Sequence, residues 1–211
     1  MAQIQFEGHG LEKLFSRRKI FSAVDFSLVE SDSLAIAGRN GSGKSTLLKI
    51  LAHVLAPTRG KVSLTIGGGT IKAEDTFRYI GLVAPYLQMY DEFTALENLR
   101  IFRDIRGLEA PDAGLSGWLD RLGLGPRSDD LVRTYSSGMK QRLKFAFALL
   151  HQPPVLLLDE PSSNLDSEGI AVVYDIIKEQ QQRGIVIIAT NDDAERKLCR
   201  NQIDLNVQQK G

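Results

Sequence analysis

The chain has 211 residues, 43% of them hydrophobic and 25% charged, which is enough to bury the core of one globular domain. Basic and acidic residues both total 26, so the charge gives no indication of a nucleic-acid or anionic-membrane partner. One cysteine, Cys199, excludes an internal disulfide framework and fits a reducing compartment. No run approaches the roughly 18 apolar residues that span a bilayer, and the start has no basic-then-apolar leader. We therefore expect the protein to stay in the cytosol or to reach a membrane through another protein.

The first part of the chain predicts a β layer and then a strand, a glycine loop and a helix. Short strand-like segments with polar turns between residues 4 and 34 are typical of antiparallel strands. The apolar run 34–37 ends at Gly38. Residues 46–55 then have helical spacing, which stops before Pro57.

The middle of the chain predicts a small helical insert. A hairpin begins past Gly60, and residues 79–84 form a buried strand. Thr94 and Glu97 then have the spacing of a capping box, which starts a helix. Glycines and prolines interrupt short helical patterns over residues 107–133.

Helices and strands alternate in the last third, which indicates a parallel sheet. The predicted helices cover residues 136–150 and 167–183, and the predicted buried strands cover residues 155–159 and 184–190. We expect an α/β fold with a mainly parallel core sheet, an N-terminal antiparallel β layer and a small helical subdomain. The last six residues, NVQQKG, are expected to form a solvated tail.

A glycine-rich segment, GRNGSGKS, fits the pattern G-x-x-x-x-G-K-[ST] and lies between a predicted strand and a predicted helix, the context in which this pattern binds phosphates. Glycines let successive N–H groups converge on a phosphate at the positive end of the helix. Lys44 would contact the β- and γ-phosphates, and the Ser45 hydroxyl would bind Mg²⁺. A chance turn or a dinucleotide-binding loop fits less well, since GRNGSG lacks the order G-x-G-x-x-G. The residues expected to bind the nucleotide are Gly38, Asn40, Gly41, Ser42, Gly43, Lys44, Ser45 and Thr46.

Two carboxylates, Asp159 and Glu160, follow the apolar run VLLL. Open α/β sheets place their ligands at the carboxyl ends of such strands. Asp159 would hold the Mg²⁺ shell through water, and Glu160 would polarise the water that attacks the γ-phosphate. A solvated strand end would explain one acid but not both.

The segment YSSGMKQR, residues 135–142, resembles the signature motif of the ABC ATPase family. The resemblance implies a P-loop NTPase fold, and it covers residues 15 to about 190. It also implies that Ser136 and Gly138 grip the γ-phosphate bound to an opposite subunit, in a head-to-tail dimer with two ATP molecules in its interface. Taken alone, Ser136 and Ser137 would be read as a helix cap.

Two further residues are assigned by the same resemblance. Asp166 lies in SNLD, which is similar to the family's D-loop, and would face the partner's nucleotide site; alone, it would be an N-cap. Phe15 has the position of the aromatic residue that stacks on adenine, but a lone aromatic residue is equally typical of a core.

The sequence departs from the family pattern at two site positions, and mildly within the signature segment, where Ser137 and Met139 replace the commonest glycine and glutamine. Pro85 stands where the family has a glutamine that contacts Mg²⁺, so that contact is either absent or made by Gln88, with Tyr86 or a bridging water as further alternatives. Asn191 stands where the family has a histidine beside the γ-phosphate. An amide donates a hydrogen bond but carries no charge, so we expect slow hydrolysis with Glu160, Lys44 and Asn191 as the catalytic residues.

The resemblance implies an ATP-binding and ATP-hydrolysing transporter subunit with ATP and Mg²⁺ as cofactors. We expect residues 1–211 to form one nucleotide-binding domain with a helical insert at about 86–150. Residues 85–103 correspond to the groove that receives an integral membrane permease subunit, although their apolar positions also suit a core. We expect an exporter, a homodimer, no nucleic-acid partner, and a cytoplasmic location on the inner face of the cell membrane. The alternatives are a non-transport ABC ATPase acting on the ribosome or nucleic acid, and a mainly nucleotide-binding regulatory subunit.

Overall fold

The structure is a computed structural model that describes residues 3–16 and 18–206. The strands within these residues are β1 (Ile4–Phe15), β2 (Arg18–Val29), β3 (Ser33–Ala37), β4 (Arg59–Ile66), β5 (Gly69–Ile71), β6 (Ile80–Val83), β7 (Val155–Asp159), β8 (Ile185–Thr190) and β9 (Asn201–Asp204). The helices are α1 (Lys44–Leu51), α2 (Ala95–Arg106), α3 (Asp112–Arg121), α4 (Ser137–Leu149), α5 (Ser167–Arg183) and α6 (Asp193–Lys197).

The core sheet is parallel, as predicted. In the described part of the chain it has five strands in the order β6-β7-β8-β3-β9. Every residue of β3, β7 and β8 is buried, because helices or the second sheet cover both faces. The edge strand β9 was not predicted, since its sequence NQID is polar and lacks the apolar run of the other strands.

The second sheet is the predicted antiparallel layer. Its strand order over the described residues is β2-β1-β4-β5. The strands are longer than predicted, since β1 and β2 have 12 residues each. Shifts in the β1–β2 register between Gly8 and Leu14 break the regular alternation that would have revealed such long strands.

The parallel sheet separates two hydrophobic clusters. Leu156, Leu158, Val186 and Ile188 face the cluster that contains α2, α3, α4 and α5. The alternate residues of the same two strands face the cluster shared with α1 and the antiparallel layer; they are Val155, Leu157, Ile185, Ile187 and Ala189. Each central strand therefore contributes to both cores, as successive side chains of a strand point to opposite faces.

The predicted helices are present, with differences at their ends. The capping box of α2 is confirmed, because the Thr94 hydroxyl accepts from the Glu97 N–H at 3.1 Å and Glu97 accepts from the Thr94 N–H at 2.8 Å. Helix α1 begins two residues before the predicted start and ends at Leu51, since the chain turns at His53 with a φ of 55°. Of the predicted solvated tail, residues 207–211 lie outside the described residues.

Where the structure describes the chain, none of its helices has the length and apolar character needed to cross a bilayer.

Candidate functional site

The glycine-rich loop connects β3 to α1 at the carboxyl edge of the parallel sheet. Gly43 precedes the first turn of α1 with a φ of 102°, and a Cβ there would lie 2.5 Å from Cγ2 of Ile20. A Cβ on Gly38 would lie 2.3 Å from Oγ of Ser42. The tight path therefore requires glycine at both positions. It leaves the loop's N–H groups at the positive end of α1, where an anion binds well.

Lys44 is buried at 5% exposure, and its side chain lies along the loop. Its ammonium donates to the carbonyl of Gly38 at 3.0 Å and to that of Arg39 at 3.3 Å. The cation is thus held beside the N–H groups that would surround a phosphate. Its contact with the β- and γ-phosphates stays a prediction.

Ser45 and Asp159 lie together, because the Ser45 hydroxyl hydrogen-bonds the Asp159 carboxyl group. Burial raises the pKa of Asp159, and the charge of Glu160 adds to this effect, while the Ser45 hydrogen bond and the charges of Lys44 and Lys49 oppose it. A hydroxyl and one carboxylate suit Mg²⁺, which keeps several waters and is completed by substrate phosphates. No group of three or more His, Cys, Asp or Glu residues suited to a metal occurs in the described ranges.

Glu160 follows Asp159 in a left-handed backbone conformation with a φ of 49°. This conformation is uncommon outside glycine and often marks functional residues. Its N–H donates to the carbonyl of Ala189 in β8 at 2.9 Å, so the neighbouring strand fixes the turn. The Glu160 side chain is partly exposed, in contrast to the buried Asp159.

Asn191 follows β8 and contacts the glycine-rich loop. Its side-chain amide donates to Oδ1 of Asn40 at 3.1 Å. Both residues are predicted to contact the nucleotide, but no sequence pattern indicates that they contact each other. This contact brings the ends of β3 and β8 together, and the Ser45–Asp159 hydrogen bond adds the end of β7.

Ser136 and Asp166 cap helices within the single chain. The Ser136 hydroxyl accepts from the Met139 N–H at 3.2 Å at the start of α4, and Asp166 accepts from the Gly169 N–H at 2.8 Å at the start of α5. Both residues are nevertheless exposed. A Cβ on Gly138 would lie 2.7 Å from the carbonyl oxygen of Asn164, so the signature segment and the segment before Asp166 pack closely.

Phe15 lies at the end of β1 and is 48% exposed, which excludes the alternative of a core residue. The Lys13 ammonium lies 5.0 Å from the centre of its ring. The ring is available to stack on a flat ligand.

The loop after β6 places Tyr86 close enough to Asp159 for the two side chains to interact. The Lys49 ammonium lies 4.1 Å from the centre of the Tyr86 ring. Burial raises the pKa of Tyr86 to about 12, and the negative charge of Asp159 contributes to the rise. Gln88 lines a groove beside α2. The metal contact assigned to Gln88 stays a prediction, and Tyr86 is a second candidate for it.

Sequence reasoning missed two residues near this edge of the sheet. Lys49 lies one helical turn after Ser45, and that spacing could have placed it on the same face of α1. Glu195 is buried within α6, yet its local sequence DDAERK is polar and gave no signal.

A groove of about 420 Å³ lies between α2, α4 and the loop after β6. Its lining is mostly apolar and includes Phe102, Ile105 and Phe147. The charged residues that line it are Arg106 and Lys144, and none of the described lining residues is acidic. Ile105 is 74% exposed, so part of this apolar surface faces solvent.

The fold places the chain among the P-loop nucleotide-binding proteins of the α/β class. Residues 21–163 match the sequence model of the family described as ABC transporter. The chain belongs to the ABC transporter family, as an ATP-binding subunit that hydrolyses ATP.

Curated relatives extend the match over nearly the whole chain. The uncharacterized ABC transporter ATP-binding protein YybJ of Bacillus subtilis strain 168 is 32% identical, over 93% of this chain and 90% of that protein. The lipoprotein-releasing system ATP-binding protein LolD of Bacteroides fragilis strain YCH46 is 31% identical, over 93% of this chain and 95% of that protein. Two longer Bacillus subtilis relatives are matched over 62% and 60% of their length.

A solved structure shows the same fold. The dimeric structure of MJ0796, a bacterial ABC transporter cassette, has a TM-score of 0.83 and 22% sequence identity to this chain. The match covers 94% of this chain and 93% of that one. The predicted P-loop fold is therefore confirmed.

Proposed function

We propose that this chain is the energising subunit of an exporter and works as one nucleotide-binding domain, in which residues 86–150 form the helical insert. The observation that carries the proposal is the convergence of Lys44, the Ser45–Asp159 pair and Asn191 at one edge of the parallel sheet. The direction of transport is supported by the relative from Bacteroides fragilis, which is named for releasing lipoproteins.

In this proposal, residues 38–46 bind the triphosphate of ATP and Phe15 stacks on its adenine. Ser45 and Asp159 would hold Mg²⁺, and Gln88 or Tyr86 would supply a further side-chain oxygen. The ion neutralises phosphate charge when it is bound. Lys44 supplies a second positive charge from within the loop.

Glu160 orients the attacking water and accepts its proton, since its carboxylate is partly exposed at the strand end beyond Asp159. Asn191 donates a neutral hydrogen bond to the γ-phosphate. A neutral donor stabilises the charge of the transition state less than a histidinium does, so turnover is slow.

Two copies of the chain would close head to tail around two nucleotides. Ser136 and Gly138 of one copy would contact the γ-phosphate bound to the other, and Asp166 would lie in the interface. The exposed positions of Ser136 and Asp166 support this arrangement, because neither side chain is enclosed by its own chain. The N–H groups at the start of α4 favour an anion there.

The groove beside α2 would receive an integral membrane subunit. Its apolar lining suits the apolar face of a helix, and Arg106 and Lys144 suit a carboxylate on that helix. Burial lowers the pKa of both basic groups, so an acidic partner would stabilise their charged forms.

The proposal is tested by purifying the tagged protein from its source cells in mild detergent with Mg-ATP and identifying the proteins bound to it. We expect one polytopic membrane protein in stoichiometric amount. Ile105→Asp, in the groove, should remove that protein without changing basal ATP hydrolysis. Val54→Asp is the matched control, because Val54 is 65% exposed and does not line the groove.

Ribosomal proteins or nucleic acid in place of a membrane protein would overturn the transport proposal. Equal recovery of the membrane protein with Ile105→Asp and Val54→Asp would overturn only the proposal that the groove beside α2 is the docking surface. Export predicts that cells lacking the protein retain a compound that normal cells release.

A further inference from the structure

Glu195 is a buried carboxylate that the proposed chemistry does not use. It is 1% exposed, although the other charged residues of α6 reach solvent. A buried carboxylate is costly unless its oxygens accept hydrogen bonds or a cation lies beside it. Its Oε2 accepts no hydrogen bond from the residues that the structure describes. The contacts of Oε1 must therefore account for its position.

Both hydrogen bonds to Oε1 come from one residue, Ser162. The Ser162 N–H donates at 2.8 Å, and the Ser162 hydroxyl donates as well. Tyr174 on α5 also hydrogen-bonds Ser162 through its side chain. Burial raises the pKa of Tyr174, and the charge of Glu195 adds to the rise.

Ser162 lies in the turn that carries the proposed catalytic carboxylate. Glu160 precedes it by two residues and is tied to β8 through the Ala189 carbonyl. The Ser162 carbonyl accepts from the Leu165 N–H at 3.2 Å, and Asp166 follows directly. The turn is thus held by β8 at its start and by Glu195 at its centre.

Helix α6, which carries Glu195, begins shortly after Asn191 in the chain. Asp192 accepts from the N–H groups of Ala194 at 2.6 Å and Glu195 at 3.1 Å, which fixes the first turn of α6 directly after Asn191. One buried side chain therefore joins the segment after β8 to the segment after β7.

We propose that Glu195 is a positioning residue, which holds Ser162 so that Glu160, Asp166 and Asn191 keep their relative positions. The proposal rests on the roles given to these three residues above. Glu195 contacts no substrate in this scheme. It acts through the turn at residues 160–166.

The test compares Glu195→Ala with Glu195→Gln, measuring kcat, KM and the Kd of a fluorescent ATP analogue. Alanine leaves the Ser162 N–H without its acceptor, so we expect kcat to fall about tenfold or more, since small displacements of catalytic groups have large effects. Glutamine keeps an accepting oxygen, and its kcat should stay within about threefold of wild type. The Kd should change little in either variant, because the hydrogen bonds of Glu195 are to Ser162 and Asp192 and not to the phosphate-binding loop. Asp193→Ala, an exposed position on the same helix, is the matched control.

Hydrogen exchange of the segment 159–166 gives a readout that does not depend on hydrolysis. Glu195→Ala should exchange faster there than wild type, and Glu195→Gln should not. Unchanged exchange, or an unchanged kcat, in Glu195→Ala would overturn the positioning role. Absence of hydrolysis by the wild-type protein would instead overturn the proposed function.

If Glu195→Ala does not fold, Ser162→Ala replaces it in both measurements. This variant removes the hydroxyl donor and keeps the backbone donor, so kcat should fall by a smaller factor and exchange should rise. A kcat and an exchange rate equal to those of wild type would overturn the proposal.

Discussion

Asn191 is the residue at which the chemistry of the site departs most from the pattern that the family resemblance implies. Its amide reaches Asn40 of the phosphate-binding loop, so the position is inside the site and not displaced from it. An imidazolium there would donate a charged hydrogen bond. An asparagine donates a neutral one, which contributes roughly half as much.

We therefore predict that Asn191→His raises kcat for ATP hydrolysis by about tenfold, since a charged hydrogen bond exceeds a neutral one by about 1.4 kcal/mol. Asn191→Ala, whose side chain donates no hydrogen bond, should have a lower kcat than wild type. Steady-state rates at saturating Mg-ATP measure both changes. A rate for Asn191→His at or below that of wild type would show that Asn191 does not limit catalysis.

For single residues, motif spacing indicates candidate site residues but not the contacts between them. The sequence predicted Lys44, Ser45 and Asp159 because each occupies a fixed place beside a strand end. It could not decide between Gln88 and Tyr86 as the side chain nearer to Asp159, because the path of the loop depends on packing. Glu195 was missed for the same reason, since burial is a property of the fold.

At the scale of elements, a histidine with an unusual environment, His151, lies in the turn that follows α4. His151 lies between β6 and the groove, and its Nε2 is 3.2 Å from the carbonyl oxygen of Ile80. Burial lowers the pKa of His151 to about 4, the charge of Arg106 adds to this, and the Ile80 contact opposes it. The folded protein therefore holds a neutral imidazole at neutral pH.

Because the pKa of His151 is lower in the folded state than in the unfolded state, the stability of the protein depends on pH. Below the unfolded pKa of about 6.5, the unfolded chain binds a proton that the folded chain does not bind until about pH 4, so stability falls as the pH falls through this window. We predict a decline of Tm between these values, measured by calorimetry. His151→Gln should show a shallower decline, and the same substitution at the exposed His9 is the control. Equal slopes for His151→Gln and wild type would contradict the assignment.

Elements with a strong local pattern were predicted well. The buried strands β3, β7 and β8 have apolar runs, and α2 has a capping box, so local sequence was sufficient. The polar edge strand β9 was not predictable, because it pairs with β3, which lies far from it in the sequence.

For the whole molecule, the main expectation is dimerisation controlled by ATP. Glu160→Gln removes the proposed base but keeps the side-chain size, so nucleotide should bind without being hydrolysed. We predict that this variant forms a stable dimer with Mg-ATP, observed by size-exclusion chromatography with light scattering.

Wild-type protein should dimerise less under the same conditions, because hydrolysis empties the site. Glu168→Gln is the matched control, since Glu168 is an exposed acid on α5 and should behave as wild type does. A monomeric Glu160→Gln variant at saturating Mg-ATP would contradict the head-to-tail arrangement.

The two hydrophobic clusters have a consequence for how the protein responds to heat. Strands β7 and β8 contribute alternate side chains to both clusters, so both clusters pack against the same two strands. Loss of either cluster would therefore remove packing from the strands that support the other. Disordering the helical side would expose one face of the central sheet, and disordering the antiparallel layer would expose the other. The described parts of the chain should therefore melt together in a single cooperative transition, despite their division into two sheets and a helical region.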